Sequence, residues 1–254
     1  MGFNKRLISQ ADGEAIGDRV LSVTNSTQIA TLSGNDYFTG VAFYNGTIYT
    51  NEVFLDASYN QDYAIRKRNT SGGVIATYYV SSPTISGVPY LGGVDGIFVD
   101  NSGNIYVCDE KDVSASAELR KYNNSGVFQS KFVIVSNFYQ AGLAYDTDRD
   151  YFFHGRHSSN TVYIKDLSGT TQSNFNIGAE PSRIFYAENQ LFRVSLSGSN
   201  AILTPYDIQL GSLEPSITVT GNNYFNTSSG YDSANGYLYH ARNERLYRSN
   251  VTIG

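Results

Sequence analysis

The sequence predicts an all-β protein: a β-propeller of four-stranded antiparallel blades, with five blades in the ring. Three observations carry this reading. The composition favours strands and tight turns over helices, because only 16% of the 254 residues are charged while Gly (24), Tyr (21) and Phe (14) are abundant. One hairpin pattern recurs five times along the chain, and its copies are spaced 41 to 56 residues apart, the repeat length of a propeller blade.

Each copy begins with an anchor residue and an apolar run, passes through a polar turn and ends on an aliphatic-aromatic or double-aromatic pair. The copies are Gly40 to Tyr49, Gly96 to Tyr106, Gly142 to Phe152, Arg183 to Phe192 and Gly230 to Tyr239, nine or ten residues from anchor to last aromatic. Their turns, such as Asn45-Gly46, Asp148-Arg149-Asp150, Glu188-Asn189 and Asn235-Gly236, carry residues that tolerate the positive φ of short hairpins. A second hairpin follows in most copies. Ile65 to Gly72 matches Leu119 to Gly126, and Tyr163 to Gly169 follows the same plan. Inner strands read as apolar on both faces because blades stack on each other, whereas the basic residues of the outer strands alternate as on one solvated face.

A ring must close, since an open stack exposes apolar faces and edges. The simplest closure has Arg19 to Leu32 supply outer strands to the blade begun by Gly230, giving five blades. Arg245 to Arg248 already reads as that blade's third strand, so a sixth, partial blade is the alternative. The domain reading is an N-terminal segment, 1–18, followed by a single propeller, 19–254.

Charge and composition exclude several roles. The net charge of −5 offers no basic field for nucleic-acid phosphates or an anionic membrane surface, and no apolar stretch is long enough to span a bilayer. The single cysteine, Cys108, lies in an apolar alternation and reads as a buried small hydrophobe. The N-terminus lacks the apolar run of a signal peptide, so the Asn-x-Ser/Thr triplets, such as those at Asn69 and Asn123, read as turn chemistry.

The hairpin Gly96-Ile-Phe-Val-Asp-Asn-Ser-Gly-Asn-Ile-Tyr-Val107 resembles the signature of the NHL-type propeller superfamily. That superfamily includes gluconolactonase-like hydrolases, which the resemblance implies would hold a divalent cation in the central channel through carboxylate and amide side chains at inner-strand termini. Here Asp95 is the one acidic residue directly before an anchor. Thr39, Ala141, Ser182 and Ser229 stand at the other positions, so no metal or other cofactor is expected. A propeller hydrolase of this type is the alternative reading.

Candidate binding residues come from an aromatic step that enters the blades. Asn35-Asp36-Tyr37-Phe38, Asn137-Phe138-Tyr139-Gln140 and Asn223-Tyr224-Phe225 share Asn followed by aromatics. Tyr37, Tyr139 and Tyr224, with Asp36, Asp95 and Gln140 beside them, are expected at one mouth, where rings stack on a sugar and polar groups bond its hydroxyls. The competing role for these rings is that of wedges between blades. The loop His154, Arg156 and His157 is a secondary candidate, with His240 at the analogous place in the last blade.

The opening segment, with Phe3, Lys5, Arg6, Leu7 and Ile8, resembles the start of tailed-phage virion proteins. The resemblance implies attachment to other virion proteins, a location in the virion and host-surface glycan as ligand. The expectation drawn from the sequence is therefore a non-enzymatic, structural or adhesive virion propeller.

Overall fold

The computed structural model describes residues 21–55, 61–79, 96–109, 117–135, 140–156, 159–208, 211–219, 225 and 228–253. β1 (Leu21–Thr31) precedes the first blade, which consists of β2 (Tyr37–Tyr44), β3 (Thr47–Leu55), β4 (Gln61–Arg68) and β5 (Val74–Tyr79). Blade 2 is β6 (Gly96–Val99), β7 (Ile105–Asp109), β8 (Ala117–Tyr122) and β9 (Phe128–Val135). Blade 3 is β10 (Gln140–Asp146), β11 (Tyr151–Arg156), β12 (Thr161–Asp166) and β13 (Thr171–Asn176). In blade 4, β14 (Ile184–Ala187), β15 (Gln190–Ser197) and β16 (Asn200–Asp207) are followed by two short pieces, β17 (Ser212–Leu213) and β18 (Ile217–Val219), both paired to β16. Pro215 lies between those pieces, and a residue without an N–H cannot continue the ladder. Blade 5 is β19 (Gly230–Asp232), β20 (Tyr237–Arg242) and β21 (Arg245–Ile253), with β1 as its outer strand. Every pairing is antiparallel, and the ring has five blades.

The closure differs in detail from the two outer strands expected of 19–32. Leu21 to Thr31 forms one strand, paired to β21 with shifts between Thr24 and Thr27 and between Gln28 and Ala30. β21 remains the third strand, so the conflict over Arg245 to Arg248 disappears: three strands come from one end of the described chain and one from the other.

Five apolar clusters each straddle one blade boundary. Leu246 and Tyr239 of blade 5 meet Ile48 of blade 1, Tyr49 meets Ile97, Leu119 meets Phe152, Phe153 meets Ile184, and Phe192 meets Leu238. Along each second strand, consecutive residues face opposite neighbours, so a dipeptide such as Ile48-Tyr49 or Leu191-Phe192 serves two interfaces. Cys108 is fully buried in one of these clusters.

These faces reset the repeat register in two blades. In blade 3 the equivalent pair is Phe152-Phe153, not Tyr151-Phe152. In blade 5, Gly230 pairs with Tyr239 as Ala42 pairs with Tyr49, so the residue equivalent to Gly40 is Ser228. The turns explain the slip, because two residues separate paired strands in blade 1 (Asn45, Gly46) but four do so in blade 5 (233–236).

The outer strands are drier than alternation suggested. Glu52 is fully buried and receives Arg66 at 2.8 Å, Arg68 Nη2 at 2.6 Å and the Thr50 hydroxyl at 2.5 Å. This cluster lies on the face of blade 1 that meets β1: a Cβ added to neighbouring Gly72 would fall 2.2 Å from the Ile29 carbonyl oxygen. The triplets at Asn69 and Asn123 are turn caps, as read from sequence. Asn69 Oδ1 accepts from the N–H groups of Ser71 and Gly73, and Asn123 Oδ1 from those of Ser125 and Val127.

Candidate functional site

Each innermost strand is bonded on one side only, which leaves its other edge toward the axis. The anchors Gly40, Gly96, Gly142, Arg183 and Ser228 lie at or near the entry to these strands, and three of them pack closely together. A Cβ on Gly40 would lie 2.6 Å from Ser228 Oγ and 3.1 Å from Gly96 Cα. Ser228 is buried, and its hydroxyl oxygen accepts from the N–H groups of Val41 and Ile97, both at 3.2 Å. One side chain thereby joins blades 5, 1 and 2.

On the side of the inner hairpin turns the channel widens into a cavity of about 250 Å³. Its wall contains the third residue after every anchor: Phe43, Val99, Tyr145, Tyr186 and Tyr231. Each tyrosine hydroxyl is held by the turn of the preceding blade. Tyr231 donates to Glu188 Oε1 at 2.8 Å, Tyr186 accepts from Arg149 at 3.1 Å, and Tyr145 accepts from the Asn101 N–H at 3.2 Å while donating to Asp150. Burial, reinforced by the carboxylates of Glu188, Asp146 and Asp150 respectively, pushes the three phenols well above the usual tyrosine range. They are neutral donors at any ordinary pH.

Asp148 and Glu188 are the acidic residues among the described lining, with Asn189, Thr147 and Ser233 adding polar atoms at the rim. Among the described lining residues there is no Lys, Arg or His. Arg149, which bonds Tyr186, is neutralised by Asp146 at 2.6 Å. The buried carboxylates one position further along the inner strands are occupied with structure. Asp100 caps the N–H groups of Ser102 and Asn104 and takes the Tyr106 hydroxyl, Asp146 caps Asp148 and Arg149, and Asp232 caps Asn235. The Asp100 to Gly103 stretch of the signature is thus a turn device.

The structure distributes the expected site residues differently from the sequence reading. Tyr37 is half-buried against the cluster between blades 1 and 2, and Asp36 Oδ1 accepts from the Leu55 N–H at 3.1 Å. With Ser228 as anchor, Phe225 and not Tyr224 stands in step with Tyr37 and Tyr139. Phe225 is a buried wedge, stacked on His240 at 4.5 Å. His154 does not belong to an exposed loop. It lies within β11, fully buried and stacked on Tyr163 at 5.1 Å, while Arg156 ends that strand, half-buried. Burial, with the charge of Lys165 nearby, lowers the His154 pKa to about 3. His240 is buried too and bonds Ser249 Oγ at 2.7 Å. Asp95, Tyr139, Tyr224, His157, the Gln140 side chain and the segment of Phe3, Lys5, Arg6, Leu7 and Ile8 lie outside the described residues.

The mouth tyrosines were present in the repeated segments but were not singled out. Their signal is an aromatic three residues after the anchor, and placing the fifth anchor at Gly230 hid Tyr231 from that alignment.

The residues were also tested against the divalent cation of the gluconolactonase-like type. At the positions before the anchors, Thr39 is buried and donates to the Asn51 carbonyl, and Ser182 and Ala141 bring no carboxylate. Beside Thr39, blades 5, 1 and 2 approach so closely that even a Cβ on Gly40 would meet the Ser228 hydroxyl. Among the described residues no three His, Cys, Asp or Glu side chains form a metal-holding group. The described residues do not fit that ion.

No protein-family model matches the chain, and no curated protein matches it. Solved structures do. A gluconolactonase from Xanthomonas campestris aligns over 93% of this chain and 90% of its own, with a TM-score of 0.54 and 12% identity. A glutaminyl cyclase from Myxococcus xanthus aligns over 93% of this chain and 98% of its own, with a TM-score of 0.60 and 11% identity. At these identities the shared feature is the propeller fold. The comparisons nonetheless correct the expectation of a non-enzymatic virion protein: both structures are enzymes, and neither the phage likeness of the first residues nor the NHL-type assignment is recovered.

Proposed function

We propose that the chain is a propeller hydrolase that acts on a small ester or lactone in the tyrosine-lined mouth. The observation that carries the reading is the Tyr231–Glu188 pair at the wall of the cavity. A neutral phenol fixes a carboxylate at 2.8 Å beside space for a small molecule. A carboxylate so oriented takes a proton from a water attacking a carbonyl carbon. The end-to-end likeness to two propeller enzymes, one a gluconolactonase, supports the choice of reaction class.

The test is turnover of a panel of aryl esters and sugar lactones. Glu188→Gln keeps an acceptor for Tyr231 but removes the base, and should lower kcat by roughly 10²- to 10⁴-fold with little change in thermal stability. Absence of turnover across the panel, or an unchanged rate in the variant, would overturn the proposal.

A further inference from the structure

The chemistry of the mouth narrows what enters it. Its described wall combines aromatic side chains, Phe43, Tyr145, Tyr186 and Tyr231, with two carboxylates, Asp148 and Glu188, and holds no cationic side chain. Among the described residues, the guanidinium that bonds a wall tyrosine, that of Arg149, is paired with Asp146. Any ligand entering therefore meets negative charge with no positive group to balance it, in a chain whose net charge is also negative.

Two general effects then favour the same ligand. An organic cation over an aromatic face is attracted by the ring quadrupole, and more strongly when it is desolvated. A carboxylate at the wall of a concave, partly water-excluded site adds attraction that bulk solvent would screen. An anion gains neither and pays repulsion from both carboxylates. A neutral polyol is accepted by the polar rim but has no partner for the two charges. We infer that the mouth selects a small organic ammonium, so that the substrate of the proposed hydrolase carries a positive charge on the part that seats against Asp148 and the tyrosines. The inference rests on that hydrolase reading for the word substrate, but the binding preference stands apart from it.

The probes are choline and its uncharged isostere 3,3-dimethylbutan-1-ol, which share shape and differ in the charge. Their affinities for the whole chain are measured by calorimetry and by chemical-shift changes of the tyrosine rings, at low and at high salt. Choline should bind at least tenfold more tightly than the isostere, lose affinity as salt rises, and lose its advantage in Asp148→Asn. Asp148 is exposed, so this substitution leaves folding intact, and a thermal melt checks that it does. Equal affinity for the two probes, no binding by either, or an advantage that survives in both Asp148→Asn and Glu188→Gln would overturn the inference. Adding Mg²⁺ or Ca²⁺ alone distinguishes a metal site: displacement of choline at equal concentration by the metal would also overturn it. The two proposals fail separately. Lactone turnover that choline does not inhibit sinks the ammonium preference alone, whereas choline binding without any ester or lactone turnover sinks the hydrolase alone.

Discussion

Ser228 is a small residue with three tasks: it leads into an inner strand, packs against Gly40 and satisfies two N–H groups of other blades. Gly40 is glycine because that hydroxyl is 2.6 Å from where its Cβ would be. Gly40→Ala should therefore destabilise the protein by about 1 to 3 kcal/mol through overpacking. In a Ser228→Ala background the added cost should be smaller, because the clashing oxygen is gone. A double-mutant cycle by urea unfolding reads the coupling, and strict additivity would refute the contact. His154 gives a second prediction. Its pKa is about 3 in the folded chain against about 6.5 when unfolded, so the unfolded state takes up a proton first as pH falls. The stability that neutral, buried His154 contributes is complete above about pH 6.5. It is lost on acidification toward pH 3, at up to about 1.4 kcal/mol per pH unit. His154→Leu should be less sensitive to acid than the parent over this window, measured as the change in unfolding free energy between pH 7 and pH 5. Parallel pH profiles for the two would show that His154 is already solvated.

Among the elements, the inner hairpins were the most legible in the sequence. They carry apolar residues on both faces and punctuating turns, and those turns have the left-handed residues the spacing required, with φ of 45° at Asn45 and 62° at Asn189. Less legible was everything set by turn length. A two-residue turn and a four-residue turn leave the aromatic pairs looking alike while shifting the anchor by two, which is why Ser228 and Tyr231 were missed. Outer-strand burial was hidden for another reason: Arg66 and Arg68 read as solvent-facing until β1 is seen to cover their side of blade 1, where Glu52 pairs with both. Glu52→Ala should consequently leave two arginines without their carboxylate, and cost about 3 to 5 kcal/mol in chemical denaturation. A loss below 1 kcal/mol would mean that water reaches the cluster. β1 itself was legible as a closing element but not as a single strand, since its two register shifts mimic the break of a hairpin. Removing residues 1–32 strips the outer edge of β21 and uncovers Leu246 and Val251, so the truncated chain should aggregate. A soluble truncation with a cooperative melt would contradict the closure.

For the whole molecule, the five interblade clusters form a cycle, and every blade depends on two neighbours. Cooperativity should accordingly span the ring. Leu119→Ala in blade 2, expected to cost about 2 to 5 kcal/mol, should lower the hydrogen-exchange protection of β20 amides in blade 5 as much as that of β7. Preserved protection in β20 would show that blades open independently. The same cycle explains why the mouth escaped a blade-by-blade reading: each tyrosine hydroxyl is fixed by the turn of another blade, so the pocket exists only where five distant segments meet. One consequence of the closure concerns mechanics. Leu21 lies opposite Ile253 across the β1–β21 ladder, and the two strands run antiparallel from that point. Tension applied between these residues would load the ladder one pair at a time, as a zipper is opened, and would not shear all its bonds together. A ring that resists heat and denaturant as a unit should thus yield to a small pulling force at this single seam, the first extension step being the length released by β1.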